Sequence, residues 1–145
     1  MAKIVSVNIS ARTGEKKRPV KSVYLVENFG AEGDAHADSG TDRQVSLLAV
    51  ESIEKMRQKG LDVSPGDFAE NITTEGIALV ELKPSMRVQC GESVLEITRI
   101  GKECHERCAI YYQAGDCVMP HEGVFAKVIR GGTVRPGDAI IKLTL

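Results

Sequence analysis

The segment Gly101 to Cys108, GKECHERC, gathers two cysteines, a histidine and both signs of charge. A thiolate is the strongest nucleophile and softest ligand a protein supplies without a cofactor, so a metal clip, a disulfide and a reactive sulfur are all open here. Cys104 and Cys108 stand four apart. On a helical turn they would share one face, flanked by His105 and Arg107, close enough to share a metal or pass on a persulfide. Lys102 and Arg107 favour the thiolate, whereas Glu103 and Glu106 oppose it. Zinc is a further reading, with Cys104, His105, Cys108 and Cys117 as ligands and His121 in reserve. Those ligand types suit the metal, but the paired Cys-x-x-Cys spacing that marks a strong zinc site is missing. Cys90 lies in an alternating segment and reads as a small buried hydrophobe.

Two other stretches collect polar chemistry. GAEGDAHADSGTDRQVSLL puts Glu32, Asp34, His36, Asp38, Asp42, Arg43 and Gln44 into a glycine-bearing loop. Glycine lets backbone N–H groups approach a ligand, and an arginine can clamp a phosphate bidentately. The GxxxxGK[ST] pattern is absent, so this is no nucleotide P-loop; the plain alternative is a solvated acidic loop. In PGDFAENITTEGI, Glu70 and Asn71 lead into Ile72, Thr73 and Thr74, which look like the start of a strand. Asn71 could cap a turn there or donate its amide to an anionic ligand.

The elements that must position these groups are mostly strands. KIVSVNIS, KSVYLVENF, SMRVQCG, ESVLEITRIG, GVFAKVIRGG and GDAIIKLTL are short, rich in Val and Ile, and largely alternating, with Gly, Pro, Asp or Asn in TGEKKRP, NFGAEGD, KPS, CGE and GGTVRPGD between them. One helix is expected in LLAVESIEKMRQKG, where Leu47, Val50, Ile53 and Met56 recur every third position and Gly60 offers the stop. A helical turn and an irregular loop are expected from Cys104 to Pro120, with Gly115 and Gly123 bracketing a possible lid around Cys117. The expectation is a mainly β fold, barrel-like, with one clear helix and short helical turns.

The 145 residues fit one domain spanning 1–145, large enough to bury a core without staples. Nineteen basic residues nearly cancel twenty acidic ones, for a formal net charge of -1, which argues against general binding of nucleic acid or membrane surfaces. No signal-like or membrane-spanning run is present, so a cytoplasmic location is expected, where four cysteines are more readily thiols or ligands than a disulfide framework.

In order, EGDAHAD, RQVSLLA, GDFAENITTEG, IGKECHERCAI, GVFAKVIRGG and VRPGDAI resemble the MOSC domain family, named for the C-terminal domain of molybdenum-cofactor sulfurase, and most of all its short stand-alone bacterial members. The likeness spans almost the whole chain. It implies a strand-rich, partly closed β-barrel and one functional cysteine, here Cys108 in RCAI, with Cys104 as the second choice. By resemblance, Cys108 would be the thiolate ligand of the metal. Gly33, Asp34, His36, Arg43, Glu70 and Asn71 would line a pocket for the molybdenum cofactor (molybdopterin), with Arg43 on its phosphate; pyridoxal phosphate is not expected. The function implied is cofactor binding or sulfur carriage through a reactive cysteine. Partners would be a molybdenum-cofactor biosynthesis protein or a cysteine desulfurase. An alternative is a molybdenum-dependent reductase of N-hydroxylated compounds, with Asp34, His36 or His121 as proton source; no flavin, haem or iron–sulfur motif accompanies it, which leaves enzymatic turnover open. A zinc-clip regulatory module is the other alternative.

Overall fold

The computed structural model of the chain describes residues 2–12, 16–35, 37–100 and 122–143. Among these residues are eleven strands and one α-helix: β1 (Lys3–Ile9), β2 (Arg18–Val20), β3 (Val23–Val26), β4 (Gly30–Ala31), β5 (Val45–Ala49), α1 (Val50–Gln58), β6 (Ile72–Glu75), β7 (Arg87–Cys90), β8 (Ser93–Ile100), β9 (Val124–Arg130), β10 (Gly132–Val134) and β11 (Ile140–Leu143). A 3-10 turn at Leu79–Glu81 follows β6. No helix among the described residues is long and apolar enough to cross a membrane.

The mainly β expectation holds, but the sheet is not closed into a barrel. Eight strands pair in the order β11-β7-β8-β9-β5-β6-β1-β2, and a second sheet runs β10-β3-β4. Within the large sheet only β5 and β6 are parallel. Its two flanks meet at a single isolated bridge, Lys3 with Ala139, where Ile4 donates its N–H to the Asp138 carbonyl at 2.8 Å and accepts from the Gly137 N–H at 2.7 Å.

The helix begins later than its spacing predicts. Leu47 belongs to β5, whose five residues are all buried between β9 and β6. A strand covered on both faces reads as a continuous apolar run rather than an alternation, so its Leu47 joins the threefold pattern of the helix behind it. From Val50 the helix buries Ser52, Ile53 and Met56. It ends where Gly60, at φ 91°, donates to the Arg57 carbonyl. Its apolar face closes a small core of Leu48, Ile53, Met56, Val63, Phe68 and Phe125. The main core lies on the other side of the sheet, around Ile4, Leu25, Leu47, Ile72, Leu95 and Ile97. Gly132–Val134, expected to be part of a turn, is β10, and it pairs with β3.

Candidate functional site

Two of the polar segments singled out in the sequence, 30–48 and 65–77, meet along one transverse row of the sheet. Arg99 on β8 lies opposite Phe125 on β9, and Phe125 lies opposite Ser46 on β5. Beside Ser46, the Asn71 N–H donates to the Ser46 carbonyl at 2.9 Å, and the Asn8 N–H of β1 donates to the Asn71 carbonyl at 2.7 Å. Chain-distant residues are thus aligned by backbone pairing alone.

Asn71 locks this row. Its Oδ1 accepts from the Ser46 N–H at 3.0 Å, and its Nδ2 donates to the Asn8 carbonyl at 3.2 Å. Asn8 in turn donates from Nδ2 to the Glu70 carbonyl at 3.1 Å and to Thr73 Oγ1 at 3.2 Å, while its Oδ1 accepts from Ser6. Both amides are buried, where an unmade hydrogen bond costs about 1–3 kcal/mol, so the network holds β1, β5 and β6 in one register.

Glu70 is wholly buried beneath it. Its Oε2 accepts from the Gly66 N–H at 3.0 Å and from the Thr73 hydroxyl at 2.7 Å; no partner reaches Oε1. Burial penalises the charged form and raises its pKa above the ordinary carboxylate value, against the opposing pull of those two donors. Gly66 sits at φ 93°, and a Cβ there would lie 2.2 Å from the Lys17 carbonyl, so only glycine lets this turn press against the β1–β2 connection.

Asp34 behaves differently. Its Oδ1 accepts from the Lys17 ammonium at 2.7 Å and the Ser10 N–H at 2.9 Å, and Lys17 also donates to Ser10 Oγ at 3.2 Å. The paired side chains are 0% and 1% exposed. Burial alone would raise the Asp34 pKa, but the hydrogen bonds from Lys17 and Ser10, the Lys17 charge and Asn71 together hold it below the usual carboxylate value.

Arg43 is half-buried at the other end of the row, its guanidinium 5.6 Å from the Phe125 ring centroid. Among the described residues no carboxylate pairs with it. The loop carrying it is pinned by its neighbours. Asp42 receives Arg99 Nε at 3.0 Å, and Gln44 donates to Asn28 Oδ1 at 3.1 Å while accepting from the Val128 N–H at 3.0 Å. One residue beyond, Ile100 and Val124 form the last pair of the β8–β9 ladder, from which residues 101–121 depart. Next to the return of that segment, Glu122 accepts from Ser52 Oγ at 2.7 Å and Lys55 Nζ at 2.9 Å, bordering a cavity of about 310 Å³ floored by Ile77 and Leu79.

These features coincide with a match to known sequences. The model of the MOSC domain covers residues 33–141 of this chain. The chain belongs to the MOSC domain family. Among solved structures, this MOSC chain is similar to the YuaD protein from Bacillus subtilis, at TM-score 0.79 and 16% identity over 100% of this chain and 98% of that one. It is also similar to YiiM from Geobacillus stearothermophilus (TM-score 0.73, 17% identity, 99% and 76% covered) and to YiiM from Escherichia coli (0.68, 20%, 100% and 71%). At these identities the likeness establishes a shared fold. No curated protein matches the chain.

The MOSC family is associated with molybdenum-cofactor-related proteins, so its residues can be tested for fit. An anionic pterin cofactor needs an available cation and donors near a soft ligand. Arg43 fits, because its charge has no carboxylate partner among the described residues. Asp34 is engaged by Lys17 and Ser10, and Asn71 by Ser46 and Asn8; Glu70 points its open oxygen into the interior. These three are committed to holding the strands and turns together. Cys104, Cys108, Cys117, His36, His105 and His121 lie outside the described residues, as does the lid expected around Cys117. Among the described residues no group of three or more His, Cys, Asp or Glu could hold a metal. Cys90 is fully buried, and burial pushes its thiol up to about 12, as expected of a core hydrophobe. The sequence alone did not single out Lys17, Ser10, Asn8, Ser46 or Glu122. Lys17 stands in a run of cations that looks solvated, and the others are polar residues of ordinary strands or turns.

Proposed function

We propose that this MOSC domain binds the molybdenum cofactor, or carries sulfur for it, through a reactive cysteine of the 101–121 segment, Cys108 first and Cys104 second. The observation that carries the reading is the β8–β9 register: its last pair, Ile100 with Val124, leads into the cysteine segment and adjoins Phe125, on whose ring the guanidinium of Arg43 rests with no carboxylate partner among the described residues. A soft thiolate and an available cation are the two groups that a metal-bearing, phosphorylated pterin requires. Bound there, the cofactor would supply a metal centre for two-electron chemistry with Cys108 as its thiolate ligand. The chain's own parts have separate tasks. Arg43 attracts the phosphate, Asn71 and Asn8 fix the strands beneath it, and the Asp34–Lys17 pair holds the loop that leads to Arg43. In the sulfur-carrier form, the Cys108 thiolate attacks the outer sulfur of a cysteine desulfurase persulfide. That sulfur transfers to Cys108 and the desulfurase thiolate leaves. A molybdenum-cofactor biosynthesis protein would be the recipient.

Metal analysis of protein purified without oxygen from a host that makes the cofactor tests this reading. About one molybdenum per chain is expected in the wild type, lost in Cys108→Ser, kept in Cys104→Ser and reduced in Arg43→Gln. Absence of molybdenum from all of them, together with failure to accept labelled sulfur from a cysteine desulfurase, would refute it. Zinc at about one equivalent, lost from both cysteine variants, would assign the clip instead.

A further inference from the structure

The β1–β2 hairpin concentrates positive charge on a chain that has none to spare. Residues 12–21 contain Arg12, Lys16, Lys17, Arg18 and Lys21 against the single acid Glu15, although the whole chain nets -1, so the remainder carries the compensating acidic excess. Lys17 turns inward to Asp34, whereas Arg12, Lys16, Arg18 and Lys21 are exposed. Elsewhere among the described residues, several cations stand against carboxylates, Lys3 with Glu75, Arg99 with Asp42, Arg87 and Lys127 with Glu96, and the unpaired exposed ones, Lys83, Arg130 and Lys142, are scattered singly along the chain. The four hairpin cations have no such partner among the described residues. Crowding like charges without partners is mildly destabilising, which a solvated turn gains nothing by doing.

The backbone restricts what could bind there. Among the described residues β2 is the outer strand of the large sheet, paired only with β1. Asn8 sends its N–H the other way, to Asn71, so its partner Pro19 occupies a position whose backbone groups face outward, and proline has no N–H to offer. An incoming strand therefore meets no donor at the middle of β2, a common device against edge pairing. Recognition at this edge must come from side-chain charge.

We infer that this hairpin is an electrostatic docking site for an acidic segment of a partner protein, read by Arg12, Lys16, Arg18 and Lys21. A nucleic acid fits less well, because the hairpin presents no exposed aromatic for stacking and the acidic remainder of the surface repels a long polyanion. The inference does not depend on the cofactor reading, since the hairpin binds whether or not molybdenum is present.

Fluorescence anisotropy on the full chain tests it, with a labelled decaglutamate peptide as probe and labelled oligo-dT of equal length as comparison. At low salt the peptide is expected to bind, and to weaken by about tenfold when salt is raised from roughly 50 to 300 mM, as screening requires. Arg18→Glu/Lys21→Glu should abolish binding with unchanged thermal stability, whereas Lys83→Glu/Lys142→Glu, two exposed cations elsewhere, should keep it. No binding at low salt, or equal loss in both double variants, would overturn the site. Tighter binding of oligo-dT would overturn the choice of partner, as would salt-sensitive self-association in sedimentation, which would make a second copy of the chain the occupant.

Discussion

Removing the Lys17 ammonium by Lys17→Met tests whether the Asp34 loop is held by a buried ion pair. The pair is 2.7 Å long with both side chains essentially inaccessible. Deleting one member of such a pair strands a charge in the interior and costs about 3–5 kcal/mol. In a domain whose whole stability is about 5–15 kcal/mol, that lowers the midpoint by roughly 6–20 °C. The sign with pH distinguishes this loss from a packing defect. In the wild type the Asp34 pKa is depressed, so its stabilisation is present above the ordinary carboxylate pKa of 3.8 and disappears as pH falls through the folded value. Without Lys17 the burial contribution prevails and the Asp34 pKa rises. The variant should then lose stability relative to wild type as pH climbs above 3.8, a range over which the depressed Asp34 of the wild type contributes a constant amount. Urea unfolding followed by circular dichroism at pH 4, 5.5 and 7 measures both. Lys17→Met/Asp34→Asn, which keeps an acceptor for the Ser10 N–H, should recover most of the loss at pH 7. A single variant within about 1 kcal/mol of wild type at pH 7, or no recovery in the double, would refute the reasoning.

Glu70 predicts the complementary behaviour: its pKa is raised, so the folded state holds a proton that the unfolded chain releases, and wild-type stability falls as pH rises above 4.5. Glu70→Gln should remove that fall, matching wild type near pH 4 and gaining on it at pH 8 by about 1.4 kcal/mol per unit of pKa elevation; urea titrations showing a constant difference at both pH values would exclude Glu70 as the buried acid. Glu70→Ala, which orphans the Gly66 N–H and the Thr73 hydroxyl, should cost about 2–6 kcal/mol near pH 4 and less at pH 8, where wild type bears the cost of ionising Glu70, read in the same titrations. Gly66→Ala forces a Cβ to 2.2 Å from the Lys17 carbonyl at positive φ, and should cost about 2–5 kcal/mol in a thermal melt; a melt unchanged from wild type would show that the turn can retreat from Lys17. Cys90, with its thiol pushed up to about 12, should escape iodoacetamide at pH 8 in native protein and react only after unfolding, as read by mass spectrometry.

What the sequence made legible depended on whether a residue's role is local. Strands with one covered face, such as β8 and its buried Ser93, Leu95 and Ile97 alternating with less buried neighbours, announce themselves through a period of two. β5 did not, because a strand covered on both faces has no period to show, and its leucines merged with those of α1. The candidate site divides in the same way. Arg43, Glu70 and Asn71 stood out by residue type, but their different roles come from partners far away in the chain: Asn8 and Ser46 for Asn71, Gly66 and Thr73 for Glu70, the ring of Phe125 for Arg43. Lys17 is the sharpest case, since one lysine in a run of three basic residues, Lys16 to Arg18, turns inward and no local pattern says which. What decides it is the meeting of the Gly66 turn with the β1–β2 connection, where Lys17 donates its N–H to the Gly66 carbonyl at 2.8 Å and its ammonium is directed onto Asp34. The same contact leaves Lys16 and Arg18 outside, so the buried ion pair and the exposed basic edge are two consequences of one packing event. A substitution that displaces the Gly66 turn should therefore disturb both, weakening the Asp34 pair and scattering the cations of the hairpin, whereas reversing the exposed cations should leave the pair intact.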